Sequence, residues 1–131
     1  MDGAEIIDEY LVRSGLEYDA LDDGVWVIHD EDDNLDNVVL TWSPPIVVFR
    51  VKLMDAPTDA TKRSQLFEQL LQLNASDMVA GAYGLEGNAI VATETLQSEN
   101  LDFNEFQAGI EGLTMALTSH YEQLRSFHTN S

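Results

Sequence analysis

The sequence has no cysteine, and only six of its 131 residues are lysine or arginine. Without cysteine there is no disulfide, no thiolate nucleophile and no cysteine-ligated metal. The few cations face 24 acidic residues, which leaves a formal net charge of −18. A chain so charged repels nucleic acid and anionic membrane surfaces, because both are polyanions. No apolar run approaches the roughly 18 residues of a membrane span. The first ten residues, MDGAEIIDEY, lack the basic region and apolar core of a signal peptide. A cytoplasmic protein is the expectation. Internal repeats, low-complexity stretches and linkers are also missing, so one domain over residues 1–131 is expected.

Catalytic signatures are equally scarce. No nucleophile-elbow, kinase or zinc-protease pattern occurs. Gly81, Gly84 and Gly87 recur at every third position, but no helix opens after them and no lysine follows, so they do not cradle a phosphate. His29, His120 and His128 are too scattered for a helical ligand pair. The run from Asp30 to Asp36 alternates acids like the first half of a calcium loop. Leu35 then stands where the tight turn needs glycine, and Thr41 where a bidentate glutamate belongs. A solvated acidic loop is expected there. The reading is of no enzyme, no catalytic residue, no cofactor and no metal site.

What is present is a fold. Phe103, Phe106, Ile110, Leu113, Leu117, Tyr121 and Leu124 fall three or four residues apart, on one face of a helix from Leu101 to Phe127. That stripe is roughly 32 Å long and needs a sheet or other helices to cover it. Asn100 or Asp102 can cap its start, and Asp102 and Glu105 have approximate capping-box spacing. Ala4 to Ser14 reads as a first helix stopped by Gly15. Strands are expected at Val25–His29, Asn37–Trp42 and Ile46–Met54, the last two separated by Pro44 and Pro45. In the third, Val47, Phe49, Val51 and Leu53 are expected to face the core. A second helix runs from a cap at Thr58 or Asp59 to about Asn74. A hairpin of Met78–Tyr83 and Ala89–Leu96 follows, turning at Leu85 to Asn88. The fold class is α+β with an antiparallel sheet, in the order α-β-β-β-α-β-β-α.

Two places suggest a partner surface. If Val25 and Val27 point inward, Trp26 and Ile28 lie on the outer sheet face beside Ile46 and Val48, an apolar patch. The opposite assignment makes both Trp26 and Ile28 core. In the second helix the apolar residues span roughly 160°. Leu66, Leu70 and Leu73 can cover a sheet, which leaves Phe67 and Leu71 to one side. The expected partner-binding set is therefore Trp26, Ile28, Ile46, Val48, Phe67 and Leu71, serving a protein client or a homodimer. A small-ligand or divalent-metal-responsive regulator acting through the acidic loop is the alternative.

The run from Gly81 to Leu96, GAYGLEGNAIVATETL, then the link from Glu99 to Phe106, ENLDFNEF, and the long helix after it resemble the YbjN family. Its members share the fold of class I type III secretion chaperones. The resemblance implies a bacterial, non-enzymatic, chaperone-like or regulatory protein-binding module, often dimeric. Secretion chaperones hold an extended client segment on apolar sheet and helix surfaces.

Overall fold

The structure, a computed structural model, describes residues 3–30, 35–78 and 81–128. Helix α1 (Gly3–Ser14) leads into strands β1 (Glu17–Asp22), β2 (Val25–Asp30), β3 (Leu35–Ser43) and β4 (Ile46–Asp55). Helix α2 (Ala60–Ser76), strands β5 (Ala82–Glu86) and β6 (Ala89–Gln97), and helix α3 (Phe103–His128) complete the chain. The strands form one sheet of order β1-β2-β3-β4-β6-β5, and every neighbouring pair is antiparallel. The α+β antiparallel class stands as expected, with one strand more than the sequence suggested. That strand is β1, whose residues EYDALD are exposed except for half-buried Tyr18. An edge strand rich in aspartate shows neither apolar alternation nor strand propensity, so no pattern announces it.

All three helices lie on the inner sheet face. The indole Nε1–H of Trp26 donates to Asp8 of α1 at 2.7 Å, the Tyr10 hydroxyl donates to the Leu101 carbonyl at 3.0 Å, and Gly3 lies so close to the Trp42 ring that a Cβ there would overlap it. Helix α3 crosses β4 and β6, with Gly109 close over Phe49 and Leu96. Its start is a reciprocal cap. The Asp102 carboxylate accepts from the Glu105 N–H at 2.7 Å, and Glu105 accepts from the Asp102 N–H at 3.4 Å. Phe106, Ile110, Leu113, Leu117 and Leu124 are buried as their spacing predicts. Tyr121 is not, being 52% exposed, and His120 takes the inward place. At about 100° per residue, a position one beyond an inward side chain has already turned to the flank.

Two further expectations change. Trp26 and Ile28 are core residues, 3% and 0% exposed. Trp26 pairs with Leu40 and Leu40 with Phe49 across the inner face. Asp8 gives the indole N–H the partner that burial demands, while Val25 and Val27 turn outward. In β4 a register shift between Lys52 and Met54 leaves Leu53 half-buried and buries Met54 instead. An extra residue in one strand moves the following side chains to the other face. The acidic run from Asp30 to Asp36 falls largely outside the described residues, as does part of the expected Met78–Tyr83 strand.

One inward side chain of the sheet is a carboxylate. Glu94 pairs with Phe49, and its Oε2 has no hydrogen-bond partner. Burial raises its pKa, opposed by the Thr95 backbone N–H. A folded pKa above the unfolded one means that the carboxylate weakens the fold at neutral pH, and that this cost vanishes below the unfolded value of about 4.3. Glu94→Gln is therefore expected to raise the urea midpoint at pH 7, with the gain closing as the pH falls toward 4. A gain that is equal at both values would show that burial of charge is not the cause.

Candidate functional site: the groove between the second helix and the sheet edge

Helix α2 runs along the edge strand β5. Asp59 caps its start by accepting from the Lys62 N–H at 2.9 Å. Leu66, Leu70 and Leu73 are buried, as expected. That face leaves Leu71 68% exposed and Phe67 half-buried, with the Arg63 guanidinium 4.9 Å above its ring. Across from them stands Leu85, 49% exposed. The sequence reading placed Leu85 in the turn, but it belongs to β5, and Gly87 and Asn88 alone make the turn. Between the two elements lies a groove of ≈ 200 Å³, lined by Phe67, Leu70 and Leu71 of α2 and by Tyr83, Leu85 and Ile90 of the sheet.

The groove floor is rigidly held. Asn74 accepts from the Tyr83 N–H at 2.8 Å and donates to the Tyr83 carbonyl at 3.1 Å. The Tyr83 hydroxyl lies 2.7 Å from Nδ1 of buried His120, whose Nε2 is 3.7 Å from Asp77 at the end of α2. Burial pushes the Tyr83 phenol up to about 12, so it stays protonated and can donate to His120. This chain of contacts joins β5, α3 and the α2 terminus. It ties the edge strand to the two helices through the buried Tyr83 hydroxyl and His120 ring. Sequence reasoning missed Asn74 and Tyr83. The one signal was an asparagine in the last turn of the helix, a residue whose side chain competes for backbone groups.

The remaining expected residues separate. Ile46 and Val48 lie on the outer sheet face with Val25, Val27 and Val39, which carries no helix among the described residues. Val48 sits between Thr41 and Thr95, and Val39 between Val27 and Arg50. Arg50 pairs with Glu86 at 3.1 Å and Lys52 with Asp55 at 2.9 Å. The structure thus brings Phe67 and Leu71 together on one groove, places Ile46 and Val48 on another surface, and withdraws Trp26 and Ile28 from both. Two larger clefts of ≈ 490 Å³ flank α3 beside Met115, but neither gathers several exposed apolar side chains. Among the described residues no three His, Asp or Glu side chains converge as a metal site would require, and no helix is long and apolar enough to cross a membrane.

The profile of the CesT_Tir_1 family matches residues 2–130. Among solved structures, YbjN from E. coli is similar with a TM-score of 0.72 at 12% identity, covering 93% of each chain. A chain of the heterodimeric ExoU–SpcU complex from the type III secretion system of Pseudomonas aeruginosa gives 0.69 at 17% identity, covering 95% of this chain and 99% of that one. The Yersinia pestis type III secretion chaperone SycH in complex with a fragment of YscM2 gives 0.57 at 13% identity, covering 96% and 99%. At such identities the likeness is one of fold. No curated protein matches the sequence.

Proposed function

Since the chain belongs to the CesT_Tir_1 family, a family of type III chaperones, we propose that it is a non-enzymatic, chaperone-like protein-binding module that self-associates through the groove between α2 and β5. The observation that carries this reading is the exposure of Leu71 and Leu85 on either side of one apolar groove, next to Phe67. Neighbouring apolar side chains left in water forgo roughly 1.5–3 kcal/mol each, and such a patch on a free surface marks an interface. Ile46 and Val48, with the outward valines, offer a separate apolar surface for a client segment.

The ends of α2 also offer a second copy complementary charges. Helix α2 carries Lys62 and Arg63 in its first turn, behind the Asp59 cap, and Asp77 at its end. Two such helices packed antiparallel about a two-fold axis near Phe67 and Leu71 set the cationic end of each beside the acidic end of the other. Their dipoles then oppose favourably. Exposed ion pairs of this kind contribute about 0–1 kcal/mol each, whereas two chains of charge −18 repel one another as wholes. The repulsion outweighs the pairs, so added salt is expected to strengthen the dimer by screening it.

Sedimentation velocity at several salt concentrations tests the reading. Wild type is expected to be dimeric at concentrations on the order of tens of micromolar. Leu71→Asp removes burial worth about 3–6 kcal/mol over the two copies, a loss on the order of a hundredfold or more in dimer affinity. A wild type that stays monomeric in high salt would sink the self-association.

A further inference from the structure

We propose that Asn74 closes the edge of β5 to strand addition, and so restricts the groove to a helical occupant, the α2 helix of a second copy. The inference rests on the groove being the self-association site. In an antiparallel ladder the backbone groups of alternate residues point to opposite sides of the strand. Those of β5 that do not meet β6 point outward from the sheet, where an edge strand would recruit any extended chain. At Tyr83 the outward N–H and C=O are both taken by the Asn74 carboxamide, at 2.8 and 3.1 Å. One side chain reproduces the pair of bonds that a neighbouring strand would make. The ladder turns the backbone of Leu85, two residues on, to the same side, but a strand anchored at one residue pair has too few bonds to persist. Side chains remain as the means of recognition in the groove, and an amphipathic helix presents them where a strand would present backbone. The α2 helix of a second copy is such a helix: it carries Phe67 and Leu71 on one apolar flank and would set Lys62 and Arg63 against Asp77 of the other copy.

Two measurements decide it. Amide hydrogen exchange of wild type is expected to show the Tyr83 N–H protected like a central-strand amide and the Leu85 N–H exchanging faster. Equal fast exchange at both would remove the closure. The second measurement uses a fluorescein-labelled synthetic peptide of residues 89–97, AIVATETLQ, the natural neighbour of β5, as a strand probe in anisotropy titrations. Asn74→Ala is expected to bind it about tenfold or more tighter than wild type, the equivalent of the lost hydrogen bonds. Asn74→Asp keeps the acceptor for the Tyr83 N–H and loses the donor to its carbonyl, so it should fall between the two. It also serves if the alanine variant does not fold. Peptide binding by wild type as tight as by both variants overturns the proposal. Sedimentation of the same samples separates the two ideas. A monomeric wild type removes the helical occupant and with it the self-association, whereas a dimeric wild type with no gain in peptide binding by either variant removes only the role of Asn74.

Discussion

Phe106→Ala is expected to cost about 3–5 kcal/mol of stability, the upper range for truncating a buried aromatic. Phe106 is fully buried, with its ring 5.4 Å from that of Phe49 and 5.6 Å from that of Tyr10. It therefore joins three elements, α3, β4 and α1, at one point. Its removal opens a cavity that a helix pinned by a cap at Asp102 and by Gly109 against the sheet cannot collapse to fill. Aromatic pairs of this geometry add about 0.5–1.5 kcal/mol beyond area burial, and two are lost. Urea unfolding is the measurement, read as a lowered midpoint at unchanged slope. A midpoint within the error of wild type would mean that α3 does not pack over Phe49.

Gly81→Ala is expected to rank next, at about 2–5 kcal/mol, from two causes that can be separated. Gly81 has φ of +80°, and a Cβ there would overlap the carbonyl oxygen of Thr93. The oxygen is backbone, held by the pairing of Thr93 with Ala82 and Arg50, and cannot move aside. Gly87 has φ of +60° with nothing near its missing Cβ. Gly87→Ala thus carries the conformational strain alone, about 1–2 kcal/mol. The excess of the first variant over the second measures the overlap. If the two shift the thermal midpoint equally, the close approach of Gly81 to β6 is wrong.

Half of the candidate site was legible before the fold. The arc of α2 is wider than one sheet face can cover, so Phe67 and Leu71 had to lie aside, and they do. Leu85 was hidden because a leucine before a glycine-asparagine turn reads as part of the turn when strand ends are uncertain. Asn74 and Tyr83 are nine residues apart and meet only because α2 returns alongside β5. No local pattern encodes a side chain that satisfies the backbone of another element.

The amphipathic period of α3, its capping pair at Asp102 and Glu105, the double-proline hairpin and the acidic surplus are properties of neighbouring residues and of composition. The sequence by itself determined them. Which face of β2 is inside was decided elsewhere. The strand VWVIHD is apolar on both sides over its first four residues, so alternation cannot choose between Trp26 and Val27. The choice depends on Asp8, 18 positions away, which supplies the buried indole with a hydrogen bond, and on Leu40 as its cross-strand neighbour. Strand β1 exists because β2 has a free edge for it to pair with, and the bulge at Lys52 moves Met54 into the core in spite of the pattern. A periodicity shows that a face exists, and only long-range packing and hydrogen bonding decide which way it points.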